Sequence, residues 1–506
     1  MELNNRPLKR ATPEEKGISS LRVLRALQAL DATENEIHGV MIAVDGEVIS
    51  ESWPRPFDPS FPHTNHSMGK SWTCTAVGIA CTQGLLSPED RVADLFAEEF
   101  ESYGIEISEG MREARLRDLM SMSCGMTGMP YFDDCWMENF LRYPIEKKPG
   151  TYFYYNSVGS CMLGALIEKL TGKTVEQYLR DELLNRIGVG EKDLVWCRFG
   201  SGICAEPGTA STTEANLRLG LFYLARGFAD GEQIISREWM DEATRKQVDT
   251  TPDPGTADAK VGYGWQLWMC RKPGVYRFDG GQGQFCLMDP EKHAVISLQE
   301  GGMHPNGVQK TLDILQDLLR DMTGQPLPED AEALQALRAY EGGRTLPAPE
   351  TRPVPAGAAK LNGAYAVREG YANFWMEAFP GNVEFYHMFY DPSVAREIRY
   401  LNLGLENGTM RVTVNGKSVF EVSLDGTLRA VSTAQVIPDM PMTCCHGYFT
   451  DENTLQFTVH WLNSWMAYDV TLHREGLDLE ITVSKSMRHE GKAPVIQKAR
   501  ARKIGF

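Results

Sequence analysis

Apolar positions recur along this chain at two periods, and the period changes near residue 350. Before that point, runs with helical spacing, such as Ser71–Ala80 and Ser157–Glu168, alternate with short strand-like segments. Val40–Val44 and Val48–Trp53 flank Asp45-Gly46, which predicts a β-hairpin. Phe285–Met288 and Ala294–Leu298 read as two further strands joined by a turn at Pro290-Glu291-Lys292. Beyond residue 350 the turn pairs Asn407-Gly408, Asn415-Gly416 and Asp425-Gly426 separate alternating runs, which predicts a β-meander closing as a barrel or sandwich. Two proline-marked stretches flank a helix-like segment, Glu329–Tyr340. The second stretch, Leu346 through Pro355, reads as an extended linker. The expected division is therefore 1–345, a linker over 346–357, and an all-β domain over 358–506.

Composition narrows the class. The 506 residues are 42% hydrophobic and 24% charged, which suits a soluble globular protein of several domains and excludes wholesale disorder or a small disulfide scaffold. A net charge of −17 makes nucleic acid and anionic membrane poor partners. The basic stretch from Lys485 to Lys503 is the local exception, read here as a solvated end. No continuous apolar run reaches 18 residues, and Met1–Lys16 is polar where a secretory segment would be apolar. The eleven cysteines are odd in number and lie mostly within apolar segments, so free thiols and a cytoplasmic location are expected. Cys444-Cys445-His446 lacks a second ligand cluster at zinc spacing, so neither a metal nor another cofactor is expected.

Three segments carry candidate chemistry. Ser67 and Lys70 stand three apart at the start of a helical run, so the amine can reach the hydroxyl. A serine becomes a nucleophile only when a base takes its proton, and a helix N-terminus favours the negative charge that follows. Ser-x-x-Lys alone is weak, since about one chance match is expected in a chain this long. Tyr154 and Asn156, just before a helix, can supply a proton shuttle and a donor to a carbonyl, or equally a core tyrosine and an N-cap. Tyr371-Ala372-Asn373 and Tyr400-Leu401-Asn402 match the same pattern in the β-rich part. Asp279-Gly280-Gly281 leads into a strand, where glycines let backbone approach a ligand closely.

In order and surroundings these segments resemble the penicillin-binding-protein-like and class C β-lactamase superfamily of serine hydrolases. Leu116-Arg117-Asp118-Leu119-Met120-Ser121, Pro149-Gly150-Thr151 and Tyr263-Gly264-Trp265 look similar to that family as well, so the resemblance covers about residues 10–325. It implies an α/β (α+β) fold of the β-lactamase/transpeptidase type, an antiparallel sheet flanked by helices. It also implies a nucleophilic Ser67, proton transfer by Lys70 and Tyr154, acyl-group orientation by Asn156, and an oxyanion hole from the N–H groups of Ser67 and Gly281. The part beyond the linker resembles lipocalin-like barrels appended to relatives, with Leu361-Asn362-Gly363-Ala364-Tyr365 as its opening. Phe374, Trp375, Phe385, Tyr386, Phe389 and Tyr390 are its expected core.

One departure limits the substrate. Where the family carries a cationic lysine or a histidine, this chain has Phe278, followed by Asp279 and Gly280. Phe278 cannot bind a substrate carboxylate and Asp279 would repel it, so penicillins and D-Ala-D-Ala peptides fit poorly. Asp279 caps its own glycine turn or receives a cationic or hydroxylated substrate group. His66, next to the nucleophile, is given a packing role. The expected function is hydrolysis of a small-molecule ester or amide through an acyl-enzyme on Ser67, with ester preferred. An acyltransferase, a D-amino-acid peptidase or amidase, and a catalytically silent binding protein are the alternatives. The expected partner is a small acyl substrate, with homo-oligomerisation left open.

Overall fold

A computed structural model describes residues 3–505 except 34, 134, 199–203, 252, 254, 303–304, 374–396, 434–440 and 486–495. The chain forms two compact units. The first comprises Met1–Ser52 and Thr64–Gly342, the second Trp53–His63 and Gly343–Phe506. Trp53–His63, expected in the first domain, therefore belongs to the second, where Phe57 packs with Leu346, Cys444 and Leu462. Leu346, the first residue of the expected linker, is buried there and donates its N–H to the Arg55 carbonyl.

The first unit is built on a six-stranded antiparallel sheet in the order Glu47–Ser52, Glu36–Val44, Ala294–Gly301, Gln284–Asp289, Tyr276–Gly280, Trp268–Met269. The hairpin at Asp45-Gly46 forms as predicted, with both residues at positive φ (52° and 81°) as a two-residue loop of this kind requires. Alternation along the strands splits the side chains between two helical layers. Val40, Ile42, Val44, Leu287 and Ile296 join Val23, Leu27 and Leu30 of the helix Ser20–Asp31 and Leu312, Leu315 and Leu319 of the helix Pro305–Arg320. On the opposite face, Cys286, Met288 and Val295 surround Gly220 of the helix Thr213–Leu224. The helix Gly69–Thr82 is buried from Gly69 to Ala80, and its buried hydroxyls are hydrogen-bonded, Ser71 Oγ to the Gln266 carbonyl and Thr75 Oγ1 to the Ser71 carbonyl.

The second unit is a closed β-barrel. Nine antiparallel or parallel neighbours run from Gly363–Tyr371 through Tyr400–Glu406, Thr409–Val414 and Ser418–Ser423 to Met442–Asp451, Thr454–Trp461, Ala467–Glu475, Asp478–Lys485 and Ile496–Ile504. The last strand pairs back on the first, and Val422–Ser423 pairs in parallel with Cys445–His446 to complete the ring. Asn407-Gly408 and Asn415-Gly416 turn the predicted hairpins. Asp425-Gly426 does not. Its Asp425 carboxylate instead accepts Ser423 Oγ and the Thr427 N–H, ending a strand. The described part of the basic stretch is the closing strand, with Lys498 and Arg500 paired to Glu480 and Asp478 rather than a loose end. Cys444 and Cys445 are buried free thiols. The aromatic residues expected as barrel core between 374 and 390 lie outside the described residues. Among the described residues no helix is long and apolar enough to cross a membrane.

Glu300, on the strand Ala294–Gly301, is fully buried; Asn35 Nδ2 donates to one carboxyl oxygen (3.0 Å) and Thr311 Oγ1 to the other (2.8 Å). Burial pushes this carboxyl well above its ordinary value despite both bonds. The unfolded chain releases this proton near its ordinary pKa of about 4.3 while the folded chain keeps it, so stability falls as pH rises above that value. Glu300→Gln is neutral at every pH and removes this dependence. Urea midpoints of the variant should exceed those of the parent by a margin that widens from about pH 5 to about pH 7, by up to about 1.4 kcal/mol per unit. A constant margin would refute the assignment.

Candidate active site

Ser67 sits in a 3-10 turn, His66–Met68, that leads directly into the helix Gly69–Thr82. The turn enters from His66 at φ 48°, a left-handed conformation costly for a non-glycine residue and held here by its surroundings. Asn65, fully buried, anchors that entry. Its N–H donates to Thr209 O (2.8 Å), and its Oδ1 accepts Ser211 Oγ (2.9 Å) and Asn216 Nδ2 (3.0 Å). One helical turn on, Lys70 is 2% exposed and its Nζ donates to Ser67 Oγ at 2.9 Å. The predicted Ser67–Lys70 pair is thus in place.

The aromatic partner is Tyr155, not Tyr154. Residues 153–156 run extended before the helix Ser157–Thr171, so successive side chains point to opposite sides. Phe153 and Tyr155 face Met122, Val248, Tyr263 and Trp268. There the Tyr155 ring stacks on Trp268 (centroids 5.7 Å, 18°) and lies 5.1 Å from the Lys70 ammonium. Burial pushes the Tyr155 hydroxyl above its ordinary value, opposed by the Lys70 charge and by polar contacts with Ser67 and Lys70. Tyr154 and Asn156 face the other way, among Leu119, Met126 and Phe140. Asn156 caps the helix: its Oδ1 accepts the Gly159 N–H at 3.0 Å, and its Nδ2 contacts Met126 Sδ. The expected roles of Tyr154 as proton shuttle and Asn156 as acyl orienter are corrected accordingly. The signal was present, because an asparagine one residue before a helical run is an N-cap, and alternation then selects Tyr155.

The third segment also departs from expectation. Phe278 is fully buried, packing edge-on to Tyr223 at 4.8 Å, so its position offers the site nothing. Arg277 and Asp279, two apart, share the other face of the strand, and Arg277 Nε donates to Asp279 Oδ2 at 2.7 Å. Arg277 is almost wholly buried, also donates to the Met269 carbonyl, and lies over Trp268. Burial raises the Asp279 pKa against the pull of Arg277, and the Asp279 side chain remains 23% exposed. Asp279 therefore neither caps its glycine turn nor stands as an isolated charge. Arg277 and Trp268 went unseen in the sequence; an arginine two residues from an aspartate on a strand was the available sign.

Gly280 and Gly281 pass beside the nucleophile turn. A Cβ at Gly280 would stand 2.0 Å from the Asn65 carbonyl oxygen, so only glycine permits this approach, and a Cβ at Gly281 would lie 3.8 Å from His66. The His66 imidazole is pushed down to about 4 by burial and then by the Lys70 charge, so it is neutral at physiological pH. Gln266 ties the site together. Its carbonyl accepts Ser71 Oγ (2.7 Å), its Oε1 accepts Ser160 Oγ (2.9 Å), and its Nε2 donates to Met120 O (3.0 Å). Among the described residues no cluster of histidine, cysteine or carboxylate could hold a metal ion.

This arrangement, a lysine-bonded serine at a helix start beside a tyrosine and a glycine strand edge, defines a β-lactamase-type site. Residues 25–321, more than half of the chain, match the Beta-lactamase family, and the chain belongs to it. It is 25% identical over 345 residues to penicillin-binding protein 4 of Amycolatopsis lactamdurans, covering 60% of this chain and 84% of that one. It is also 25% identical over 115 residues to an N-acetylmuramyl-L-alanine amidase of Bacillus subtilis, covering 20% of this chain and 26% of that relative. Among solved structures, one described as "Putative 6-aminohexanoate-dimer hydrolase from Bacillus anthracis" superposes with a TM-score of 0.51 at 17% identity, covering 64% of this chain and 91% of that one. That likeness speaks for the fold alone.

Replacing Gly280 by alanine drives a methyl group into the Asn65 carbonyl and forces strand and turn apart. Urea denaturation should show a loss of about 1–3 kcal/mol, the usual cost of overpacking, whereas an unchanged midpoint would mean that the two segments are not in contact.

Proposed function

We propose that the protein is a serine hydrolase that forms an acyl-enzyme on Ser67 and cleaves a small neutral ester or amide, esters preferentially. The observation that carries this reading is the 2.9 Å contact between Lys70 Nζ and Ser67 Oγ, with Tyr155 packed against both. Lys70 must first give up its ammonium proton; Ser67 Oγ then attacks the acyl carbon as its own proton passes to the neutral Lys70 amine, with the Tyr155 hydroxyl placed to relay it. The N–H groups of Ser67 and Gly281 receive the developing oxyanion, the pair returns a proton to the leaving group, and water then releases the acyl group. The same intermediate can pass to an alcohol or amine. Comparing products with and without added acceptor separates hydrolysis from transfer.

The floor of the site argues against anionic substrates. Phe278 is in the core, and the guanidinium of its neighbour Arg277 is committed to Asp279 and Met269. A substrate carboxylate lying against this strand would therefore lose its solvation with no uncommitted cation from the strand to meet it. The flat aromatic surface of Tyr155 and Trp268 suits an apolar acyl group instead. The exposed part of Asp279 gives specific support to a second reading, an amidase that accepts substrates bearing an amine.

Intact-mass analysis after brief mixing with p-nitrophenyl butyrate should show a butyryl adduct on the parent and none on Ser67→Ala. Tyr155→Phe should lower kcat by about 10²–10⁴-fold, the range for loss of a general acid–base group, and Tyr154→Phe should leave it nearly unchanged. Equal loss in both tyrosine variants would sink the assignment of Tyr155. Nitrocefin, which carries the carboxylate, should be turned over with a kcat/KM at least about 10²-fold below that for the butyrate ester, the discrimination that about 3 kcal/mol of unmet desolvation gives. Comparable values would remove the argument from the missing cation.

A further inference from the structure

A hollow in the first unit, of about 730 Å³, is lined by none of the residues placed at the Ser67 site. Its wall carries Arg91, Arg112, Arg115, Arg117 and Lys148, and its base is formed by Ser121, Ser123 and Gly150. The carboxylates facing the same space are Glu109, Glu113 and Asp118. Positive charge is therefore in excess here, in a chain whose net charge is −17.

Two observations show that this charge is only partly compensated within the hollow, although Glu109 and Glu113 share it. Arg115 and Arg117 are both paired with Glu89, but among the described residues none of Arg91, Arg112 and Lys148 is ion-paired. Arg91 also stands directly opposite Arg115 across an antiparallel bridge, a placement of like charges in which Arg115 alone is ion-paired, with Glu89, among the described residues. Asp118 does little to relieve it. Its carboxylate is turned onto the Arg115 backbone N–H (2.9 Å) and is only 6% exposed as a residue. The base of the hollow is well fixed, by the Gly150 N–H on Ser123 O (2.8 Å) and the hydroxyl contact of Ser121 and Ser123 (2.7 Å).

We propose that this hollow binds a small multivalent anion, a polyphosphate or a polycarboxylate, between the guanidinium groups of Arg91 and Arg112 and the ammonium group of Lys148. Its volume falls in the range of about 300–1,000 Å³ typical of small-molecule sites. Planar guanidinium groups grip phosphate and carboxylate oxygens in pairs, and a lysine adds a mobile point charge. The proposal is independent of the chemistry at Ser67.

Isothermal titration of the full chain with tripolyphosphate and with citrate, at ionic strength held constant by sodium chloride, tests it. Saturable binding of at least one of the two is expected, weakened about tenfold or more in Arg91→Ala/Arg112→Ala, equivalent to about 1.4 kcal/mol. The anion that binds tells phosphate from carboxylate. Arg91 and Arg112 are exposed, so the variant should keep the parent's melting transition. Should it not, Arg112→Gln/Lys148→Gln takes its place in the comparison. No saturable heat with either anion, equal affinity in the folded variant, or binding of heparin alone would each overturn the proposal.

Discussion

The candidate site is organised around a buried lysine. Lys70, 2% exposed, cannot be left without compensation in a low-dielectric interior, and it has the Ser67 hydroxyl at 2.9 Å and the face of Tyr155 at 5.1 Å. Both depend on elements remote in sequence. The serine is held by the Asn65 anchor on Thr209, Ser211 and Asn216. The tyrosine is held by Trp268 and Tyr263, which stand on the edge of the main sheet and the segment before it. Gln266 then joins the nucleophile helix, the helix after Tyr155 and the Met120 segment through three buried hydrogen bonds. Such a network is stiff because breaking one member leaves others unpaired in the dry interior.

Local chemistry made much of this readable from the chain itself. Ser67 and Lys70 are three apart on a helix, a distance fixed by helical geometry whatever the remaining fold does. The Asp45-Gly46, Asn407-Gly408 and Asn415-Gly416 hairpins are likewise written into two residues each. The tyrosine was misread because the same asparagine answers to two patterns, a substrate donor and an N-cap, and only the side to which each extended residue points decides between them. Arg277 and Trp268 were invisible for a different reason. Arg277 and Asp279 are neighbours on one face of a strand, but the burial that couples them, and the packing of Trp268 on Tyr155 across more than a hundred residues, are tertiary and no local pattern encodes them. The placement of Trp53–His63 with the barrel unit is of the same kind, a tertiary choice that overrides sequence neighbourhood.

The Arg277–Asp279 pair alters how the site presents itself to substrates. A lysine reaching into solvent would place a full positive charge before the nucleophile. A buried arginine bonded to a part-exposed aspartate presents a dipole instead, with its negative end outward. Attraction at long range is thereby exchanged for selection at contact, where shape and hydrogen-bonding capacity decide.

In the second unit, the strand that opens the barrel, Gly363–Tyr371, is hydrogen-bonded to the one that ends it, Ile496–Ile504. The ring is consequently latched by its own two ends. A chain still emerging from synthesis would carry every other strand before the latch could shut, with the edge of Gly363–Tyr371 left open for any passing strand to join. Pairing of Ile496–Ile504 is therefore the step that seals that edge.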